Sequence, residues 1–173
     1  MRLAAALCAL AVLAGTASAE GEEEIGSTDD GPRAANKGTF GVGLILGEPT
    51  GISAKLYLQD DQALQAGVGF AFIGDGLHLH VDYVFHPWIL QSRDSFVLPV
   101  YVGPGVRVIN YERGRDNTVF TLGLRAVGGL LFDLKTVPLD VFVEVAGVLE
   151  FGFSGGEGFG LTLNAAAGAR YYF

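Results

Sequence analysis

The sequence predicts an all-β protein, an eight-stranded antiparallel up-and-down β-barrel, on three observations. From Gly38 onward, bulky apolar residues alternate with small or polar ones at a period of two, which is the side-chain period of a β-strand. The 173 residues include 26 glycines without the three-residue repeat of collagen. The mean hydropathy of +0.38 is high for a soluble protein so rich in glycine. A barrel with an apolar outer surface accounts for all three.

The first 19 residues have the features of a cleaved secretory signal peptide. Arg2 provides a basic start, residues 3–13 form an unbroken apolar run, and residues 17–19 (ASA) form a small-residue cleavage pattern. The apolar run is too short to span a membrane as a helix. Cys8, the one cysteine, lies inside this segment. The mature chain is therefore expected to have no disulfide and no thiolate chemistry.

Residues 20–37 are predicted to form a disordered acidic tail. The stretch EGEEEIGSTDDGPRAANK contains six carboxylates, two basic residues and one large apolar residue, Ile25. Such a segment cannot bury enough apolar surface to offset the entropy of ordering it. Its spacing matches no EF-hand loop, so a calcium site is not favoured. The formal net charge of −8 also argues against nucleic acid as a partner, because phosphates are bound by basic residues.

Residues 38–173 are expected to form one domain of eight strands. The predicted strands cover residues 39–47, 51–59, 63–73, 76–86, 96–109, 118–133, 138–152 and 159–173. Strand six shows the alternation, because Leu122 and Leu124 share one face while Gly123 and Arg125 share the other. Pro104 in strand five lacks a backbone donor, which predicts a β-bulge or a shorter strand there. The longest turn at the inner end is predicted from 86 to 95.

The bulky face is predicted to point outward, which makes the domain a transmembrane β-barrel. Glycine is frequent on the opposite face, where it would be wasteful in contact with solvent but would leave room for long side chains in a narrow lumen. The bulky face carries no charge in mid-strand, as a lipid-facing wall requires. Aromatic residues are expected at both rims: Phe40, Tyr83, Phe85, Trp88, Phe132, Tyr171 and Phe173 at one, and Phe70, Phe72, Phe120, Phe151 and Phe159 at the other. Two aromatic girdles around an aliphatic band are typical of membrane barrels.

Two segments resemble known outer-membrane barrels. The last strand, LTLNAAAGARYYF, is similar to the terminal strand of bacterial outer-membrane barrels, and this resemblance identifies Tyr171 and Phe173 as a signal for the barrel-assembly machinery. The opening hairpin, GLILGEPTGISAKLY, resembles that of small uncharacterised barrels compared with the transmembrane domain of the outer-membrane protein A family. The resemblance implies a monomeric barrel in the bacterial outer membrane, surrounded by outer-membrane lipid. The peptidoglycan-binding domain usual in that family is not carried over.

An ionic network is predicted to fill the lumen. Its members are Lys55, His78, His80, Asp82, Arg107, Arg125, Asp140, Glu144, Glu150 and Arg170, with Asp133 on the same face. Arg170 is expected diagonally across from Asp140 or Glu144, and Arg125 diagonally across from Glu144. Unpaired buried charges are costly, so a hydrogen-bonded plug is predicted. An ion path or gate is the alternative.

Three histidines suggest a further alternative, a metal site. His78, His80 and His86 share the inward face of strand four with Asp82, and side chains at i and i+2 of a strand can bind one zinc or copper ion. His86 is expected to lie too far from His78, however. A polar interior network is favoured over a metal centre, so the sequence predicts no metal and no cofactor.

Two other protein classes share the barrel architecture. Outer-membrane lipid acyltransferases and deacylases are eight-stranded barrels that need a histidine, a serine and a carboxylate together at the outer rim. His78, Ser154 and Glu157 are candidates, but no spacing motif supports them. A soluble lipocalin-like carrier would need an apolar cavity and a polar outer surface. We therefore expect a structural barrel or a narrow pore of the outer membrane, and no enzyme.

Overall fold

The computed structural model describes residues 37–70, 76–112, 118–152 and 158–173. The predicted signal peptide and all of the predicted tail except Lys37 lie outside these ranges. The strands are β1 (Phe40–Gly47), β2 (Thr50–Gln59), β3 (Gln62–Phe70), β4 (Gly76–Ser92), β5 (Phe96–Glu112), β6 (Thr118–Leu134), β7 (Leu139–Gly152) and β8 (Phe159–Tyr172). Within these ranges, no helix is long and apolar enough to cross a membrane.

The eight strands close into a barrel. Each strand is antiparallel to the next, and β1 pairs with β8 through partners such as Leu44 and Ala169. The predicted all-β class and up-and-down topology are therefore confirmed. The start of β1 and the end of β8 lie at one end of the barrel, which we call the terminal end. The β1–β2 turn lies at the opposite end, which we call the far end.

The β1–β2 turn at the far end is tight and depends on glycine. It contains only Glu48 and Pro49 between the two strands. Gly47 has a φ of 131°, which L side chains rarely adopt, and a Cβ there would overlap the carbonyl oxygen of Ala165. The Thr50 hydroxyl accepts a hydrogen bond from the Gly47 amide and donates one to the Gly47 carbonyl, each at 3.1 Å. These contacts hold Glu48 at the mouth of the barrel.

β4 is longer than the sequence predicts. It continues to Ser92, so the predicted turn from 86 to 95 is wrong, and the connection between β4 and β5 is only 93–95. The register with β5 shifts between Phe85 and Trp88 and again between Ile89 and Gln91. The first shift contains Pro87, whose missing donor is tolerated at a bulge. Because the bulge inserts one extra residue, the residues after it point to the opposite side of the sheet from that expected by strict alternation. Trp88 accordingly lies on the outer wall and is 62% exposed.

The bulge or shortening predicted at Pro104 is also wrong. β5 runs without interruption, and Pro104 lies opposite Ala126 in a register with β6 that holds from Val100 to Glu112. The irregularity falls on the neighbouring strand β4 instead. Proline therefore marked the correct sheet region but the wrong strand.

The predicted inside–outside orientation is confirmed by exposure. On β6, Leu122 and Leu124 are 41% and 55% exposed, whereas Arg125, the next residue along the strand, is 3% exposed. Exposed aromatic residues lie near both ends: Phe40, Phe85, Trp88, Phe132, Tyr171 and Phe173 near the terminal end, and Phe70, Phe151 and Phe159 near the far end. Phe72 and the side chain of Phe120 lie outside the described part of the chain.

Inward glycines stand opposite large inward side chains. Gly67 pairs with His80, and a Cβ at Gly67 would overlap the imidazole. Gly105 pairs with Asp82, and a Cβ there would overlap the carboxylate. The glycines thus make room in the lumen for the polar side chains of the adjacent strand.

Candidate functional site: the charged lumen

The structure places all ten predicted ionisable residues on the inward side of the barrel wall. Nine of them are at most 4% exposed: Lys55, His78, His80, Asp82, Arg107, Arg125, Asp140, Glu144 and Arg170. Glu150 is half-buried near the far end. Because successive strand residues face opposite sides, the alternation alone directs these side chains inward.

Arg125 joins two carboxylates from other strands in what we call the central cluster (Gln65, Asp82, Tyr101, Arg125 and Glu144). Its Nε donates to Oδ2 of Asp82 at 3.1 Å, and its Nη2 donates to Oε1 of Glu144 at 2.6 Å. The other oxygen of Glu144, Oε2, accepts from Gln65 Nε2 at 2.7 Å and from the Tyr101 hydroxyl at 2.8 Å. Five strands thus contribute to one hydrogen-bonded group.

The Arg125–Glu144 contact does not follow the predicted diagonal. In the β6–β7 register, Arg125 faces Val148 and Glu144 faces Gly129, an offset of four residues. Inward side chains of a narrow barrel converge on its axis, so two long side chains can meet without being close neighbours along the sheet. Register alone could not have identified this partner.

Arg170 and Asp140 form a second group toward the terminal end. They lie directly opposite each other in the register, and not on a diagonal, with Arg170 Nε donating to Asp140 Oδ1 at 3.1 Å. The Tyr172 hydroxyl donates to Asp140 Oδ2 at 2.6 Å, and Arg170 Nη1 donates to Gln65 Oε1 at 3.1 Å. The guanidinium also lies 4.1 Å from the ring centroid of Phe142. Gln65 therefore links this group to the central cluster.

A third group lies toward the far end. Arg107 forms an ion pair with Glu150 and donates from Nη1 to Asn164 Oδ1 at 2.8 Å. The Thr162 hydroxyl donates to Glu150 Oε1 at 2.7 Å. Arg125 Nη1 lies 3.5 Å from the same Asn164 oxygen, which connects this group to the central cluster.

Lys37 closes the network at the terminal end. It is 7% exposed and forms an ion pair with Asp133, and its Nζ also donates to the carbonyl of Leu139 at 2.6 Å. Its ammonium lies 5.3 Å from the ring centroid of Tyr172. The sequence places Lys37 in the tail, so its position inside the barrel mouth was not predicted.

Lys55 and His86 form a separate pair beside the central cluster. Lys55 Nζ is 2.8 Å from His86 Nε2, and His86 Nδ1 is 3.1 Å from the carbonyl oxygen of Asp61. An Nδ1–H tautomer satisfies both contacts, because the ring then donates to the carbonyl and accepts from the ammonium. The ammonium also lies 4.8 Å and 5.1 Å from the rings of Tyr57 and Tyr101.

The other two histidines are in contact with each other, and not with His86. His78 Nε2 and His80 Nδ1 are 3.3 Å apart. His78 Nδ1 lies 3.7 Å from Glu48 Oε1 in the β1–β2 turn, and His80 Nε2 lies 3.9 Å from Asp82 Oδ2. The predicted separation of His86 from His78 thus agrees with their different partners.

Charges of opposite sign are nearly balanced in the described part of the lumen. Five cationic side chains (Lys37, Lys55, Arg107, Arg125 and Arg170) meet five carboxylates (Asp82, Asp133, Asp140, Glu144 and Glu150), and Glu48 adds a sixth carboxylate at the far end. Mutual pairing offsets much of the desolvation cost of burying these charges. Chemically, the arrangement links inward side chains of different strands to one another across the lumen.

Several members of the network were not named from the sequence: Glu48, Gln65, Tyr101, Asn164 and Tyr172. Four of these lie on inward positions that the period-two pattern identifies, but their side chains are uncharged, and the network was predicted from charged residues alone.

For the alternative of a lipid-modifying enzyme, Ser154 and Glu157 lie outside the described residues, and the nearest described carboxylate to His78 Nδ1 belongs to Glu48.

Comparison with known proteins finds no matching family model, no matching curated protein and no matching solved structure. The resemblance to the outer-membrane protein A family therefore remains a prediction from the two strand segments that carry it.

Proposed function

We propose that this chain is an integral protein of the bacterial outer membrane, whose barrel has a structural role and a lumen closed by the charged network. The observation that carries the proposal is the inverted polarity of the barrel. Large apolar side chains such as Leu124, Val145 and Leu163 are 55–76% exposed on the outside, while Arg125 and Glu144 are at most 4% exposed inside. Water does not favour that arrangement, but hydrocarbon does.

The distribution of aromatic residues supports the same location. The exposed rings near both ends flank a band of exposed leucine, valine and alanine. Such girdles match the two interfaces of a membrane. The apolar run and cleavage pattern of residues 1–19 are consistent with export. The closing strand, with Tyr171 and Phe173, resembles the assembly signal of outer-membrane barrels.

A soluble lipocalin-like carrier has a similar fold but opposite surface requirements. Such a carrier needs a lumen lined by apolar side chains and an outer wall that water wets. Here the inward residues include Lys55 and Arg170, both 0% exposed, and the outward residues include Leu161 at 77%. The polarity therefore favours the membrane protein over the carrier.

Closure is favoured over a water-filled pore by the size and pairing of the inward side chains. A barrel of eight strands has an interior that side chains alone can fill. The hydrogen bonds from Arg107 through Arg125 and Gln65 to Arg170 run across successive levels of the lumen. Paired and buried groups of this kind are better suited to hold strands together than to pass ions.

Expression with the complete leader and separation of the membranes test the location. We expect the protein in the outer-membrane fraction, resistant to alkaline carbonate washing, and folded into detergent micelles after refolding. A tag at Glu20 should be inaccessible on intact cells, because an even number of strands returns both termini to the periplasmic side. Recovery as a water-soluble periplasmic monomer would overturn the proposal.

A further inference from the structure

We propose that His80, Asp82 and Glu144 form a binding site for a divalent transition-metal ion of the zinc class. One ligand atom from each residue can be chosen so that all three lie within 4.8 Å of one another. All three side chains are buried. An imidazole nitrogen with two carboxylate oxygens is a donor set of the kind found at zinc sites. This inference concerns the lumen and does not depend on the membrane location.

The site differs from the one that the histidine spacing suggests. His86 is excluded, because it pairs with Lys55 and Asp61 on the terminal side of the cluster. Glu144 enters from β7, three strands away from β4 around the barrel, which no local spacing could reveal. His78 is placed beside the site and contacts His80 through its Nε2.

The neighbouring side chains support the ligands in the way metal sites require. The Nδ1 atom of His80 contacts His78, which leaves His80 Nε2 on the side of Asp82, 3.9 Å from Oδ2. Tyr101 and Gln65 both donate to Oε2 of Glu144 and orient that carboxylate. Partners of this kind fix the tautomer and direction of ligands, and removing one typically weakens metal affinity about 10–100-fold.

Asp82 retains spare acceptor capacity in the cluster. Its side chain is 0% exposed, and Oδ1 lies 3.1 Å from Arg125 Nε, whose N–H is directed at Oδ2 instead. Oδ1 accepts no hydrogen bond from any residue that the structure describes. A buried carboxylate oxygen without a hydrogen bond is costly. If a metal ion bound Oδ2, which lies 3.9 Å from His80 Nε2, Oδ1 would be left to accept from Arg125 Nε, 3.1 Å away. This observation is independent of the three-ligand geometry.

Arg125 occupies the place of a cation between the same two carboxylates. Its guanidinium pairs with Asp82 and Glu144, and so supplies one positive charge where the site has two negative ones. An incoming divalent ion therefore competes with Arg125. Removal of the guanidinium should expose the full charge of both carboxylates and strengthen metal binding.

Two further polar side chains lie between the far end and the site. Glu48 in the β1–β2 turn has a side chain that is 15% exposed and lies 3.7 Å from His78. His78, His80 and Asp82 lie at alternate positions of β4 and all point inward. The carboxylate of Glu48 and the imidazole of His78 thus extend the polar cluster from the three ligands toward the far end.

The first test is zinc titration of the refolded, untagged protein in detergent micelles, monitored by calorimetry. We expect one zinc ion per chain, and no comparable binding of Mg²⁺ or Ca²⁺, because imidazole favours zinc over those oxygen-seeking ions. His80→Ala should abolish binding, and His78→Ala should weaken it about 10–100-fold. His86→Ala is the matched control, a buried histidine of the same strand, and should bind zinc as the unmodified protein does. Absence of zinc binding by the unmodified protein, or equal loss in the His80 and His86 variants, would overturn the site.

The second test uses Arg125→Gln. It does not depend on whether the variants expected to lose zinc binding fold well. In the presence of a chelator this variant should unfold at a lower temperature than the unmodified protein, since two buried carboxylates lose their cation. Zinc should raise its unfolding temperature, and by more than it raises that of the unmodified protein. X-ray absorption of the zinc-loaded chain should show imidazole and carboxylate ligands at about 2.0–2.2 Å. An unfolding temperature of Arg125→Gln that zinc leaves unchanged would contradict the proposal.

Discussion

The outer wall and the lumen of this barrel are built from the same strands but obey opposite chemistry. On β6, Leu124 is 55% exposed on the outside, and the next residue, Arg125, is 3% exposed inside. The wall needs only apolar character, and its side chains need no particular partner. The lumen needs specific pairs, because each buried charge depends on another residue for its stabilisation. A change should therefore be tolerated on the wall if it remains apolar, and in the lumen only if the pairing survives.

The largest effect is expected from Arg125→Met. This change leaves Asp82 and Glu144 buried together without their shared cation, and the loss of one partner of a buried ion pair costs about 3–5 kcal/mol. Urea unfolding in micelles with a chelator present would measure it. Glu144→Gln should cost less, because Arg125 keeps its bond to Asp82 and the amide oxygen still accepts from Tyr101.

A neutral version of the cluster is the control for Arg125→Met. The combined change Arg125→Met, Asp82→Asn and Glu144→Gln removes the charges together while keeping the shapes, and it should be more stable than the single variant. If Arg125→Met unfolds at the same urea concentration as the unmodified protein, the cluster is hydrated and the lumen is open.

The requirement for apolar side chains on the outer wall is tested by a substitution on the outward face of β6. If the barrel spans the membrane as proposed, Leu124→Arg places a cation in the hydrocarbon region and should cost about 2–4 kcal/mol, with poorer insertion. Thr121→Arg, on the inward face near the far end of the same strand, should be milder. The yield of folded protein in the outer membrane compares the two, and equal losses would mean that the faces are not distinguished by lipid.

Substitution of one inward and one outward glycine gives a second comparison between the lumen and the outer wall. Gly67→Ala, in the lumen, would push a methyl group into the imidazole of His80, and overpacking of this kind costs about 1–3 kcal/mol. Gly147→Ala, on the outer face, meets nothing within 4 Å. It should leave the unfolding free energy unchanged or raise it by about 0.4–1 kcal/mol. A reversed order of the two variants would contradict the view that the inward glycines provide space.

The smallest signal is expected in conductance. The unmodified protein should give no steady current in a planar bilayer, because paired side chains occupy the lumen at several levels. Brief, poorly selective openings would be compatible with a plug. A steady, cation-selective current that disappears in Glu144→Gln would favour a pore instead.

Sequence periodicity accounts for much of the observed fold. The alternation on β6, with leucines at 122 and 124 against Arg125, was enough to predict a strand and its two faces, and the glycines of the polar face and the uncharged bulky face predicted which of them points outward. It was less successful at Pro104, because a proline indicates a disturbed ladder without showing which of two paired strands contains the bulge. β4 was predicted too short, because a turn was expected from 86 to 95 where the strand continues to Ser92.

The sequence by itself determined the period, the composition of each face and the charged residues that the strands direct into the lumen. Those properties are local, since each depends on a residue and its neighbours at i±1 and i±2. Only the tertiary structure decided which charges meet. Arg125 reaches Glu144 across a register offset of four, Lys37 enters the barrel mouth to meet Asp133, and His80 lies near Glu144, three strands away around the barrel. Closure brings side chains from distant strands to one narrow axis, and that convergence has no counterpart in the linear pattern.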